Sequence, residues 1–94
     1  MNKEDRELII EKAVEDFGAV LHDFRTKNNL TLQQMAEKTC TSSSFVWRIE
    51  KNRRNPELDT RVKMMTLGMG WSTEDIYLYL EKYIAQTKAQ AKSD

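Results

Sequence analysis

The sequence is poor in cysteine, histidine, proline and glycine, and each scarcity excludes a class of structure. Its 94 residues include one cysteine, one histidine, one proline and three glycines. A single cysteine cannot form an intrachain disulfide, and one cysteine with one histidine cannot build a Cys/His zinc site. No apolar run approaches the roughly 20 residues that span a bilayer, so we expect no membrane segment. So few turn-forming residues favour a chain made mostly of helix.

Catalytic groupings are also missing from the sequence. Carboxylates are numerous in residues 4–16, but no histidine, cysteine or glycine-rich loop accompanies them. Because we find no nucleophile–base pair and no phosphate-binding loop, we expect neither an enzyme nor a bound cofactor or metal. Residues 1–5 include three charged side chains, Lys3, Glu4 and Asp5, and no signal-peptide core follows them, so we expect a cytoplasmic protein.

The net charge is zero, but the charges are distributed unevenly. Fifteen basic residues balance fifteen acidic ones, which counts mildly against a nucleic-acid-binding protein. Residues 1–25 carry seven acidic and four basic groups, whereas residues 42–56 carry four basic groups against Glu50 alone. A focused positive patch attracts an anionic partner even when the whole chain is neutral. The centre of the chain is therefore where we expect an anionic ligand.

The first segment repeats apolar residues with the period of a helix. They are Ile10, Val14, Phe17, Leu21 and Phe24. Steps of three and four residues mark one face of a helix, and we predict a single helix from about residue 4 to residue 27. Gly18 inside it costs about 1 kcal/mol relative to alanine, so its small size suggests close approach by another helix.

Capping signals divide the rest of the chain into four further helices. Thr31 and Gln34 form a capping-box pattern, and Ser42 and Ser72 are N-caps. We predict helices at about 32–39, 43–51, 57–68 and 73–87. The predicted fold class is all-α with five helices, and its parts are an extension at 1–16, a core at 17–72, a long aromatic helix at 73–88 and a frayed tail at 89–94.

The two short helices, separated by a turn of three to four residues, have the outline of a helix-turn-helix. Val46 and Ile49 form the buried face of the second helix. The opposite face then carries Ser43, Ser44, Trp47 and Arg48. Such a face offers short hydroxyls and an arginine to base edges in a major groove. Arg53 and Arg54, just beyond the helix, are placed to contact phosphates.

Taken together, residues 17–72 resemble the Cro and phage-repressor type of helix-turn-helix protein, the Xre family. The matching pieces are Phe17-Gly18, Leu21, Phe24-Arg25, Leu30-Thr31, Met35-Ala36-Glu37-Lys38, Ser42-x-Ser44-Phe45-Val46, Arg48-Ile49-Glu50-Lys51-Asn52, Arg53-Arg54-Asn55-Pro56 and Leu67-Gly68. The resemblance implies a five-helix fold that binds DNA as a symmetric dimer. It also implies an ion pair between Arg25 and Glu50 that ties the first helix to the recognition helix.

From the motif and the resemblance we expect ten residues to contact DNA. They are Gln33, Ser42, Ser43, Ser44, Trp47, Arg48, Lys51, Asn52, Arg53 and Arg54. Other interpretations stay open: the serines only cap the helix, or the basic residues only form a solvated cluster. Trp47 stands where the family carries a small residue, and it contacts either DNA or a partner protein.

The sequence also departs from the family pattern at specific positions. Leu32 replaces a glutamine that contacts phosphate in many members, Thr39 replaces an apolar residue, and Cys40 replaces the turn glycine. We interpret Cys40 as a small turn residue rather than a redox sensor, and His22 as a surface or interface residue. The helix after Pro56 fits the family only with a shift of one residue around positions 64–67.

The last helix has more apolar and aromatic residues than one buried face needs, and aromatic residues are enriched at interfaces. We expect a homodimer interface at Ile76, Leu80, Tyr83 and Ile84. The acidic extension is a second candidate surface, for a protein partner. The predicted function is a homodimeric repressor on a palindromic operator, from a bacterium or a mobile element. The alternatives are an antitoxin, a restriction–modification controller, and an interaction module without DNA binding.

Overall fold

In the computed structural model, which describes residues 2–93, the chain folds into helices without any strand among those residues. The six helices are α1 (Lys3–Glu15), α2 (Phe17–Lys27), α3 (Leu32–Thr39), α4 (Ser43–Glu50), α5 (Leu58–Lys63) and α6 (Thr73–Ser93). The all-α, Cro-like class expected from the sequence is confirmed. Met1 and Asp94, the outer ends of the expected extension and tail, lie outside the described residues. No helix within 2–93 has the length and apolar character to cross a bilayer.

The prediction of one continuous helix from residue 4 to 27 is wrong, because the chain breaks at Asp16. This residue has φ −148° and ψ 78°, and its carboxylate accepts a hydrogen bond from the backbone nitrogen of Ala19 at 3.2 Å. A capping side chain of this kind starts a new helix, since it satisfies a backbone donor that the preceding turn cannot. Helix α1 therefore leaves the line of α2 and packs against α6.

The core forms where all six helices converge. Its fully buried large side chains include Ile10 of α1, Leu21 of α2 and Tyr79 of α6. Three methionines, Met35, Met64 and Met65, are also completely buried, and their flexible side chains suit the irregular space between short helices. The acidic extension is thus part of the folded core through its apolar face.

Gly18 marks the closest approach of two helices. A Cβ atom built on Gly18 would lie 2.2 Å from the carbonyl oxygen of Ile49, near the end of α4. Any side chain at this position would therefore push α2 away from α4. The close helix approach predicted from this small residue is confirmed.

Helix α5 continues as a π-helical segment, Met64–Gly68, instead of remaining α-helical to residue 68. The backbone nitrogen of Met69 bonds to the carbonyl oxygen of Met64 at 2.9 Å, a spacing of five residues. A π turn takes up one residue more than an α turn. The π-helical segment lies at the positions where the family pattern fits only with a shift of one residue.

Helix α6 begins at a second capping box and extends beyond its predicted end. Ser72 Oγ accepts from the Asp75 backbone nitrogen at 3.2 Å, and Asp75 Oδ2 accepts from the Ser72 nitrogen at 3.0 Å. Arg6 of α1 also bonds to Asp75, at 2.5 Å, and lies over the ring of Trp71 at 4.9 Å. The helix continues to Ser93, so the predicted end near residue 87 is wrong, and the fraying expected from residue 89 stays a prediction.

Candidate nucleic-acid interface

Helices α3 and α4 pack against each other and are joined by three residues, 40–42. Cys40 ends α3 in the left-handed conformation with φ 57°, which is where a glycine is usually found. The hydroxyl of Thr39 is fully buried and donates to the carbonyl oxygen of Met35 at 2.9 Å. Thr39, which stands where the family has an apolar residue, is therefore hydrogen-bonded inside the turn.

Helix α4 buries one side and exposes the other. Val46 and Ile49 are completely buried, and α4 also packs against α2. Nine of the ten residues expected to contact DNA are exposed, namely Gln33, Ser42, Ser44, Trp47, Arg48, Lys51, Asn52, Arg53 and Arg54. Ser43, the tenth, is half-buried. Most of the predicted residues are thus open to a ligand, whereas the Asn52 side chain lies beside Gly18 of α2, with its Oδ1 2.9 Å from the place of a Cβ on that glycine.

At the start of α4 the three serines differ in their bonding. Ser42 is the N-cap, and its Oγ accepts from the Phe45 nitrogen at 3.2 Å. Ser43 Oγ donates to Gln33 Oε1 at 2.6 Å and so links α4 to the exposed side of α3. Ser44 carries the most available hydroxyl, since its one hydrogen bond is a long 3.3 Å contact with Ser42. Ser42 caps α4 and is also exposed, so its capping role does not exclude a contact with DNA.

After α4 the chain folds back across the helix. Asn52 has φ 57°, and the backbone nitrogens of Arg53 and Arg54 both bond to the carbonyl oxygen of Arg48, at 2.8 and 3.2 Å. This reversal brings both arginines back beside α4, and Arg54 lies over Phe45 at 5.6 Å. The Arg53 guanidinium carbon lies 5.1 Å from the Trp47 ring centroid.

The family model of the Cro/C1-type helix-turn-helix matches residues 21–65, from α2 into the π-helical segment. This segment is a helix-turn-helix domain. No curated protein and no solved structure matched the chain. This match supports a DNA-binding regulator of the helix-turn-helix kind. Helices α3 and α4 lie within the matched residues, and α4, the second of the two, corresponds to the recognition helix.

The recognition helix is tied to the rest of the helix-turn-helix domain by an ion pair. Arg25 of α2 donates from Nε to Glu50 Oε2 at 2.7 Å and from its Nη2 to Oε1 at 2.9 Å. Burial by itself raises the pKa of Glu50, but hydrogen bonds from Arg25 and His22 outweigh it and leave that pKa below its usual value. The bond to Glu50 likewise raises the pKa of Arg25.

His22 is a third member of this cluster, and sequence reasoning missed it. Its Nδ1 lies 2.8 Å from Glu50 Oε1. His22 was expected to be a surface or interface residue. It is partly exposed, but that expectation did not include its bond to the buried Glu50 carboxylate. Its position three residues before Arg25, on the same face of α2, was the available signal.

A buried arginine behind the recognition helix was also missed. Arg61 of α5 is only 8% exposed and donates to Tyr79 Oη, to the Pro56 carbonyl oxygen and to Asn55 Oδ1. Its guanidinium lies over the rings of Phe17 and Tyr83 at 5.5 and 5.7 Å. Arg61 thereby connects the segment after Arg54 to α6.

The expected dimer residues on α6 are only partly free. Ile76, Leu80 and Tyr83 pack against the chain's own core, and Tyr83 stacks on Tyr79 at 6.0 Å. Ile84 is 52% exposed and Tyr77 is 66% exposed. The surplus of apolar residues is therefore smaller than the sequence suggested, because one chain already uses three of the four.

Proposed function

We propose that this helix-turn-helix protein is a sequence-specific transcriptional repressor that occupies a palindromic operator as a homodimer. The observation that carries the proposal is the recognition helix itself, which has a fully buried apolar side and an exposed side of serines and arginines. A protein bound across a promoter represses by steric occlusion. Such a regulator works in the cytoplasm of a bacterium.

Arg48 and the two following arginines have different roles in this proposal. Arg48 lies on α4 and is exposed, so its fork of donors suits a guanine edge in the major groove. Arg53 and Arg54 lie past the helix and suit the phosphates beside it. Base contacts set specificity, whereas phosphate contacts set register and the salt dependence of affinity.

Selection of bound DNA from a random pool tests this assignment. Wild-type protein should enrich a palindrome, and Arg48→Ala should relax the preference at one base pair in each half-site. Arg53→Ala should weaken binding to all sequences alike and lower the salt slope by about 1 for each phosphate that is no longer neutralised. An unchanged base preference in Arg48→Ala would show that another face of the domain meets DNA.

For the dimer we propose a contact between α6 helices of two copies. Tyr77, Leu80 and Ile84 follow one another at steps of three and four, so they form one stripe along α6. Two of these side chains are more than half exposed. A second copy would cover them and would hold two recognition helices about 34 Å apart, one turn of DNA.

Sedimentation of two neighbouring variants tests the dimer contact. Ile84→Glu should give a folded monomer with weak, non-cooperative DNA binding. Ala85→Glu adds the same charge one residue away, at an exposed position off the stripe, and should remain dimeric. Leu8→Glu is the corresponding probe of α1, because Leu8 is 63% exposed and its replacement leaves the buried Ile10 in place. A dimer that dissociates in Leu8→Glu and persists in Ile84→Glu would move the interface to α1.

One observation favours a second candidate function, that of an antitoxin. Leu8 is 63% exposed and lies on a face of α1 that also carries the exposed Glu4, Glu11 and Glu15. Such a face suits a basic partner protein with an apolar residue at its centre. If a neighbouring reading frame encodes a toxin, wild-type protein should neutralise it and Leu8→Arg should not. Neighbouring restriction and modification genes would instead indicate a controller protein with the same DNA-binding function.

A further inference from the structure

The recognition helix carries two aromatic side chains, and each lies under one of the two arginines that follow the helix. Arg53 lies over Trp47 with its guanidinium carbon 5.1 Å from the ring centroid. Arg54 lies over Phe45 at 5.6 Å. The backbone reversal at Asn52 precedes both arginines and turns the chain back, so that their backbone nitrogens bond to the Arg48 carbonyl oxygen.

We propose that Trp47 is a positioning residue that holds Arg53 in place for a DNA phosphate, and that Trp47 itself reads no base. The inference rests on the proposed DNA-binding function. Trp47 lies at the exposed surface of the recognition helix, and in this proposal it affects DNA binding only through the Arg53 side chain. The contact with Arg53 also gives the indole a use inside the domain, so that no partner protein is needed to explain it.

The chemistry of the two groups favours this role. A guanidinium held over an aromatic face keeps N–H donors that remain available to phosphate oxygens. An arginine side chain loses considerable rotamer freedom on binding, and an interaction that restricts it beforehand reduces that loss. No ion pair within residues 2–93 involves Arg53, so no carboxylate competes with a phosphate for it.

Of the two aromatic rings, Trp47 attracts its arginine more strongly than Phe45 does. An indole attracts a cation more strongly than a phenyl ring does, and the Arg53 distance is the shorter of the two. Phe45 is also half-buried, so part of its ring serves the packing of α4. Arg54 and Phe45 therefore serve as the internal comparison in the tests below.

The stack is tested first in the free protein by NMR. Ring currents of Trp47 should shift the side-chain protons of Arg53 upfield, and Trp47→Leu should abolish this shift while the Arg54 signals stay unchanged. Trp47→Phe should retain part of the shift. Trp47 is 37% exposed, so the thermal midpoints of all three proteins are measured alongside to confirm that each is folded at the temperature of the spectra. Arg53 signals that are the same in wild type and Trp47→Leu would overturn the proposal without reference to DNA.

A double-mutant cycle then tests the role on DNA. Trp47→Leu should lower affinity about two- to fivefold per half-site, for the selected operator and for unrelated DNA alike. In an Arg53→Ala background the same substitution should cause no further loss, since its effect passes through Arg53. Losses that multiply, or a base preference that changes in Trp47→Leu, would overturn the proposal and assign Trp47 a direct role in binding DNA. If the wild-type protein binds no DNA, the proposed function itself is refuted. That result differs from a failure of the Trp47 proposal, in which the wild-type protein binds DNA but the two losses multiply.

Discussion

Replacing Glu50 with alanine perturbs the interaction that fixes the recognition helix to α2. The Glu50 side chain is 2% exposed and accepts two hydrogen bonds from Arg25 and one from His22. The substitution leaves the Arg25 guanidinium in the same place, 15% exposed, with only the Leu30 carbonyl oxygen at 2.9 Å as an acceptor. We therefore expect lower stability rather than a direct effect on the DNA-facing side chains.

The magnitude follows from the burial of the pair. Removing one partner of a buried ion pair costs about 3–5 kcal/mol, because the remaining charge is uncompensated. Arg25 keeps one acceptor and some exposure to water, so we expect Glu50→Ala to lower the free energy of unfolding by about 2–4 kcal/mol. For a domain of this size that corresponds to a fall in Tm of roughly 10–30 °C.

Urea denaturation followed by circular dichroism measures this loss, and the chain offers a matched control. Lys12 and Asp23 form an exposed pair at 3.7 Å, with each side chain more than half accessible. Asp23→Ala should change stability by less than about 0.5 kcal/mol. The double substitution Arg25→Met with Glu50→Leu should recover much of the loss, since it leaves no unpaired charge. A loss below about 0.5 kcal/mol in Glu50→Ala would refute the buried ion pair as a source of stability.

Three further predictions concern other parts of the fold. Gly18→Ala should lower the free energy of unfolding by about 1–3 kcal/mol, because its Cβ would meet the Ile49 carbonyl oxygen at 2.2 Å; a stabilised variant in urea would contradict this. Cys40→Gly should raise the unfolding free energy by about 0.5–1 kcal/mol, because Cys40 has φ 57°; an unchanged or lower urea midpoint would show that the turn is unstrained. The pKa of Asp75 is lowered from 3.8 to about 2, mainly by the hydrogen bond from Arg6, so its stabilising effect is complete above pH 4 and disappears as the pH falls towards 2. Wild type should therefore be more stable than Asp75→Asn at pH 5, and the difference should shrink by pH 2.5; a constant difference would exclude this titration.

The sequence by itself determined the elements that depend on local interactions. Helix α3 has its predicted bounds and its predicted capping box, in which Thr31 and Gln34 exchange hydrogen bonds of 3.0 and 2.8 Å. Helix α4 begins after the predicted cap, Ser42. Caps and apolar periodicity operate within four residues of the chain, so they can be read without knowledge of the fold. The exposed polar face of the recognition helix follows from the same periodicity.

Tertiary structure decided what depends on distant parts of the chain. Periodicity extended the first helix through Asp16, since it contains no information that α1 would pack against α6. In the sequence, Arg61 cannot be distinguished from an ordinary surface charge. In the folded chain its guanidinium lies over the Phe17 and Tyr83 rings and bonds to Tyr79, and these contacts compensate the loss of its hydration on burial. An asparagine just after α4 predicts the left-handed conformation that Asn52 adopts, with φ 57°, but only the folded chain shows that the reversal brings Arg53 over the Trp47 ring.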